Sequence, residues 1–541
     1  MNLKEKDIDK IYEEVSPFEF KDILMELAKE NSKESDEILD AGRGNPNWVS
    51  VTPREAFFTF GYFAMEESRR VWSDSYLGGM AIKKGIHKRF EKFLEDNKNL
   101  KSIDLLEEMI NYGIKVMGYD GDEFIYELVE GIIGDNYPSP DRMLVYVEDI
   151  VRQYLMKELQ YNKEKGGNFN VFAVEGATAA MCYVFDSLVA NHLLEKKDKI
   201  AIMVPVFTPY LEIPLLPNYD FEIVPIKAKE ASINGYSLWQ YPDSELEKLK
   251  DNDIKALFMV NPGNPSSMAI DKEGINKIIE VIENHNKDLM VISDDVYGTF
   301  VDDYKSLMSE LPFNTLGVYS YSKYFGVTGW RLGTIALHDN NIFDKLLREL
   351  PKEKKEDIAR RYAQMTPNIE KVSFLDRIVA DSRQVALNHT AGLSTPQQVQ
   401  MAFFSLLSLL DSKGEYRRLT NRICHKRQKL FYEGLGLEIK RCENDAAYYA
   451  ELDFIEWSKC HYGEEFATYL KNQYKPVDIL TELADKYGII LLGCGGFEGP
   501  EWSVRVSLAN LNDEDYVKIG TALHDIIKEY IDLFEEAKVL V

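Results

Sequence analysis

Ser320-Tyr321-Ser322-Lys323-Tyr324-Phe325-Gly326-Val327-Thr328-Gly329-Trp330-Arg331 is the stretch on which the fold turns. A β-rich run, Leu316 to Ser320, delivers a lysine flanked by hydroxyls into a glycine-containing turn. An arginine follows eight positions after the lysine. A lysine so placed suits a Schiff base to the carbonyl carbon of pyridoxal phosphate, with Ser320 and Arg331 in reach of the phosphate. A solvated turn after a buried strand would use the same residue types. The pieces upstream decide between the two readings.

Working back from Lys323, Ile292-Ser293-Asp294-Asp295-Val296-Tyr297 puts a carboxylate at the end of an apolar run. Such a group is expensive to bury without a cationic partner. A protonated pyridine nitrogen would be one, and Tyr297 could donate to the cofactor's phenolic oxygen. Earlier, Val260-Asn261-Pro262-Gly263-Asn264-Pro265 reads as a rigid turn holding the Asn264 amide toward the same oxygen; such turns are also common loop punctuation. Phe207, in Val204-Pro205-Val206-Phe207, can stack on a flat heteroaromatic ring or fill a core. Farthest upstream, Val174-Glu175-Gly176-Ala177-Thr178-Ala179 is a strand–turn–helix junction. There Gly176, Ala177 and Thr178 would offer N–H groups and the helix dipole to a phosphate.

The runs feeding these pieces are Val171–Val174, Ile200–Val204, Ala256–Val260, Leu289–Ser293, Val318–Ser320 and Leu332–Leu337. Helical patterns such as Ala179–Leu194 and Lys272–Asn286 separate several of them. That alternation predicts an α/β fold with a mostly parallel sheet and its site at the carboxyl ends of the strands. Residues 1–135 read as a helical extension that also supplies part of a small domain, and 136–338 as the large domain. Residues 339–395 read as a charged helical insertion returning to the large domain, and 396–541 as a small α+β domain.

At 541 residues the chain exceeds one ordinary core. A formal charge of −26 excludes a nucleic-acid backbone or an anionic membrane surface as partner. No run approaches the roughly 20 apolar residues of a membrane span. The charged residues Met1 to Lys10 show no signal-peptide pattern, and five scattered cysteines without metal spacing suggest reduced thiols in a cytoplasm. No metal is expected.

In order and spacing the pieces resemble the fold-type I pyridoxal-phosphate enzymes of the aspartate aminotransferase group over about residues 135–340. Trp502-Ser503-Val504-Arg505-Val506-Ser507 extends the likeness. The resemblance implies that Arg505 holds the substrate's α-carboxylate. It also implies that Tyr137, in Tyr137-Pro138, reaches the neighbouring subunit's cofactor phosphate. Aminotransferases of this group are shorter. The aspartate 4-decarboxylase (aspartate β-decarboxylase) family, with its extended N-terminus and helical insertion, is a closer match through Gly42-Arg43-Gly44-Asn45-Pro46-Asn47-Trp48, Tyr321–Gly326 and Asn388-His389-Thr390-Ala391-Gly392-Leu393-Ser394-Thr395-Pro396-Gln397-Gln398.

That resemblance implies conversion of L-aspartate to L-alanine and carbon dioxide, with side transamination, and homodimers gathered into assemblies up to dodecamers. Lys323 would be the base, with Asp294 and Tyr297 assisting. Arg43 and Thr390 are candidates for lining the distal pocket; an exposed loop arginine and a helix cap are the competing readings. An aspartate or related aminotransferase remains the alternative. A transcription regulator of this fold lacks a basic DNA-binding segment here. A nicotinamide dehydrogenase lacks its glycine motif, since Gly493-Cys494-Gly495-Gly496 has the wrong spacing.

Overall fold

Six of the seven strands in the central sheet fall on the β-branched runs: Phe169–Val174, Lys199–Val204, Ile254–Val260, Met290–Asp294, Thr315–Ser320 and Gly333–His338. The computed structural model describes residues 5–31, 38–137, 140, 142–161, 167–233, 236–384, 392–439 and 441–539. The seventh strand, Glu222–Lys227, lies at the edge beside Lys199–Val204. Its half-exposed pattern and Pro225 hide it from a search for buried runs, and an edge is where proline is tolerated.

In spatial order the strands begin at residues 169, 333, 315, 290, 254, 199 and 222. Gly333–His338 runs antiparallel to both neighbours, while the others are parallel to one another. The carboxyl ends of Phe169–Val174 and of the strands ending at 204, 260, 294 and 320 therefore share one edge with the start of Gly333–His338.

Both faces of this sheet are covered, which is why its strands read as nearly continuous apolar runs. Along Phe169–Val174, Phe172 and Val174 pack with the helix Ala177–Ala190 and the insertion helices Ile342–Glu349 and Phe374–Ser382. Val171 and Ala173 point into a second cluster built with Thr52–Val71, Gly121–Ile133 and Val145–Glu158. Thr395–Leu410 packs against those same helices rather than against the small sheet. The next helix, Glu415–Gly434, bridges the two, with Tyr416 and Cys424 in the same cluster as Thr395–Leu410 and Phe431 and Tyr432 in the cluster under the small sheet.

The small sheet runs Leu492–Gly493, Ser503–Ser507, Tyr449–Asp453, Tyr236–Gln240, Lys229–Ile233, all antiparallel. Its last two strands come from the middle of the chain, a crossing that no local pattern announces. The N-terminal extension is stitched in as well. Leu39–Asp40 pairs in parallel with Ile489–Ile490, and Ala41 O accepts from Ser507 N–H at 2.8 Å. Among the described residues no helix is long and apolar enough to cross a membrane, and no group of His, Cys, Asp or Glu could hold a metal ion.

Candidate active site

The shared strand edge opens into a cavity of about 320 Å³ lined by ten of the expected residues: Ala177, Thr178, Phe207, Asn264, Asp294, Tyr297, Ser320, Lys323, Arg331 and Arg505. Gly176 stands directly behind them. Its φ is +93°, and a Cβ there would lie 2.5 Å from Arg331 Nη2. Only glycine lets the arginine close on the turn that starts the helix Ala177–Ala190. That helix aims unpaired N–H groups at the same spot, an anion site with a guanidinium beside it.

Lys323 leaves the strand Thr315–Ser320 by a tight turn and reaches the cavity, where Nζ donates to Gly44 O at 3.0 Å. Burial, followed by the nearby Arg505 and Arg331, pushes its pKa down, against the pull of Tyr449 and Asp294. An amine that holds its proton less tightly is a better nucleophile and base. Gly44 is required by its surroundings too: a Cβ would sit 2.7 Å from Tyr449 Oη and 3.2 Å from Lys323 Nζ. The N-terminal extension grips the turn after the lysine, with Trp48 Nε1 donating to Tyr324 O and Arg54 Nη2 to Gly326 O.

Asp294 ends its strand fully buried. Oδ2 accepts from Tyr210 Oη at 2.5 Å and Oδ1 from Val296 N–H at 3.1 Å. Burial lifts its pKa to about 6, with those two donors and Lys323 opposing. Such a carboxyl calls for a cation, and a pyridinium nitrogen would supply it. Tyr297 Oη lies 2.8 Å from Tyr449 Oη, and Ser320 Oγ donates to Ser322 Oγ at 2.9 Å.

Arg505 is 1% exposed. Nη1 donates to Asn264 Oδ1 at 2.9 Å and Nη2 to Gly42 O at 2.6 Å, while Nε has no hydrogen-bond partner. Aromatic rings of Tyr449, Phe497 and Phe18 lie 4.3, 5.4 and 5.5 Å from its guanidinium carbon. A guanidinium held by neutral groups in a cavity is a receptor for an anion.

Arg43 departs from the distal pocket expected of it. Its side chain is 60% exposed, and Nε pairs with Asp40 Oδ2 at 2.9 Å. Asp40 also accepts from Gly42 N–H, which turns the loop so that a backbone carbonyl, not the arginine, faces the cavity. Tyr137 is exposed and lines a separate groove with Glu127 and Tyr146. Thr390, with His389, lies outside the described residues. Tyr210, Tyr449, Phe18 and the Gly44 carbonyl were missed, since each is separated in sequence from the motif it serves; only Tyr210, three residues after Phe207, had a nearby signal.

The model of the aminotransferase class I and II family matches residues 157–523, more than half of the chain and every strand of both sheets. The chain belongs to that family. Across 97% of its length it is 44% identical to a Pseudomonas protein named bifunctional aspartate aminotransferase and L-aspartate beta-decarboxylase, covering 98% of that relative. A probable aspartate aminotransferase of Methanocaldococcus jannaschii is 25% identical over 43% of this chain and 58% of its own. Among solved structures, a double mutant of Thermus thermophilus aspartate aminotransferase superposes with a TM-score of 0.57 at 15% identity, covering 94% of this chain and 96% of that one. This family member thus has the fold-type I architecture. Its cofactor is pyridoxal 5'-phosphate, which the phosphate cradle, the amine and the buried carboxyl fit.

Proposed function

We propose that the protein removes the β-carboxylate of L-aspartate to give L-alanine and carbon dioxide, with transamination as a side reaction. The observation that carries this reading is Arg505, a buried guanidinium that forms no ion pair with a carboxylate among the described residues, facing the same cavity as the Lys323 amine. An amino-acid α-carboxylate completes it. The name of the Pseudomonas relative supports aspartate as the substrate.

Pyridoxal phosphate, bound through Lys323, supplies an electron sink for the carbanions that loss of a proton or of carbon dioxide leaves. Gly176, Ala177, Thr178, Ser320 and Arg331 would hold its phosphate. Asp294 would keep its ring nitrogen protonated, with Phe207 placed to stack on the ring. Asn264 and Tyr297 would hold its phenolic oxygen. Lys323 Nζ takes the proton from the substrate's Cα and later returns one. Phe18 and Phe207 wall the cavity with aromatic surface, with Phe497 packed edge-on behind Phe18, and limit water, which would divert the reaction to a keto acid.

Among the described lining residues the guanidiniums are Arg505 and Arg331, and Arg331 stands at the phosphate end. A distal carboxylate therefore finds no described arginine of this chain to itself. Weak ground-state binding of the group that must leave favours decarboxylation over retention. An aminotransferase without decarboxylation is the second reading.

A subunit assembly, at least a dimer, also belongs to this proposal. Phe58, Tyr62, Met65, Trp72, Tyr76 and Leu77 expose apolar surface on one helix and the hairpin after it, and Tyr137 is exposed as well. Apolar patches of this kind mark interfaces. The Tyr137 hydroxyl would then reach a neighbour's phosphate. A cytoplasmic location is in keeping with cysteines that form no disulfide among the described residues.

The test is one incubation of the purified holoenzyme with L-aspartate and no keto acid, following carbon dioxide, alanine and oxaloacetate. Stoichiometric alanine and carbon dioxide are expected, and their loss in Lys323→Ala. Oxaloacetate without alanine would leave the aminotransferase reading standing alone.

A further inference from the structure

On the side of the strand Met290–Asp294 away from the cavity, a second carboxyl is buried among neutral partners. Asp295 is 0% exposed. Its Oδ2 accepts from Ser306 Oγ at 2.7 Å and its Oδ1 from Ser293 Oγ at 3.0 Å. Oδ1 also lies 2.5 Å from Tyr304 Oη. Among the described residues it forms no ion pair with a lysine, arginine or histidine, and none is among the largest influences on it.

Tyr304 Oη has a further neighbour, the backbone oxygen of Asn261 at 2.8 Å. A phenol carries one proton, and a peptide oxygen carries none. Were Asp295 ionised, two acceptors would share that single proton, yet both contacts have full hydrogen-bond length. A second proton is needed, and Asp295 Oδ1 is the group that can hold it. We infer that Asp295 is a neutral carboxylic acid donating to Tyr304 Oη, that Tyr304 in turn donates to Asn261 O, and that the two are positioning residues for the loop presenting Asn264 to Arg505.

Burial is the largest influence on Asp295 and pushes its pKa up to about 7; the three hydroxyls oppose it and the neighbouring Asp294 adds to it. A charged carboxylate would take the Tyr304 proton for itself, because charge-assisted hydrogen bonds are the stronger kind. Asn261 O would then lose its donor at the base of the loop. Three residues on, Asn264 Oδ1 is one of the two groups that hold Arg505.

The Arg505 end of this chain of contacts rests on the substrate role proposed above, whereas the proton on Asp295 does not. Infrared spectra of the holoenzyme test the proton without turnover, so the two can fail separately. At neutral pH the wild type is expected to show the carbonyl stretch of a protonated carboxylic acid, shifted in deuterium oxide. The band should vanish in Asp295→Asn and move in Tyr304→Phe, where the acceptor hydroxyl is gone. A wild-type spectrum without the band overturns the inference, as does a band that neither variant alters. For the positioning half, Asp295→Asn should keep the KM for the amino acid within about twofold, since a carboxamide can donate as the acid does. Tyr304→Phe should raise KM by about tenfold with a smaller change in kcat. An unchanged KM in Tyr304→Phe overturns that half.

Discussion

Arg505 and Asp294 are ionisable groups buried in the wall of the cavity, and each gives a measurable consequence. Arg505→Ala should weaken aspartate and alanine alike, by about 2–5 kcal/mol if a buried carboxylate loses its partner. Competition binding with both amino acids checks this. A loss confined to aspartate would move Arg505 to the distal carboxylate. For Asp294 the sign follows from its raised value, about 6 against an ordinary 3.8. In the cofactor-free protein the folded chain holds this proton more tightly than the unfolded chain. Stability from this group is therefore full below about pH 4 and is lost as pH rises to about 6. Two units correspond to about 3 kcal/mol. Asp294→Asn should flatten that stretch of the Tm–pH curve, and bound cofactor, by supplying a cation, should reverse its slope. Lys323 and Asp294 could be singled out in the sequence because each follows or ends an apolar run, whereas Arg505 was reached only through the family resemblance of its motif. Arg43 stayed open between a distal-pocket and an exposed-loop reading: a glycine-flanked arginine reads the same whether the loop turns the side chain or the backbone inward, and here it pairs with Asp40 three residues earlier.

At the level of elements, the strand–turn–helix junction at Gly176 does the most with the least. Gly176→Ala would force a positive φ on a residue with a Cβ and drive that Cβ into Arg331. Strain of about 1–3 kcal/mol is expected there, read as weaker cofactor binding in a fluorescence titration with the fold intact by circular dichroism. Equal affinity would show that the arginine can step aside. The parallel strands were legible for a physical reason: burial on both faces demands runs of Val, Ile and Phe, and helices separate them. The hairpin Lys229–Ile233 and Tyr236–Gln240 was not, because its partner, Tyr449–Asp453, lies some two hundred residues away and leaves no local trace. The long helix Thr395–Leu410 was found, but its partners were not. Its apolar residues would suit either unit, and packing against Val145–Glu158 and Gly121–Ile133 settles the matter.

For the whole molecule, the exposed apolar face of Thr52–Val71 and its hairpin carries the prediction about assembly. Phe58→Asp with Tyr62→Asp should shift the sedimenting species toward the monomer. If Tyr137 serves a neighbour's phosphate, cofactor affinity should fall with it, whereas dissociation without that fall would leave Tyr137 a surface residue. The anchors of Arg505 have a different consequence. Gly42 O and Arg505 are 463 residues apart, with Asn264 between them, so the parts of this one contact set leave the ribosome far apart in time. If Arg505 holds the substrate as proposed, a nascent chain that already carries Lys323 but not yet the strand Ser503–Ser507 would have no clamp to select which amine reaches the lysine. Selectivity would then wait on that strand's arrival.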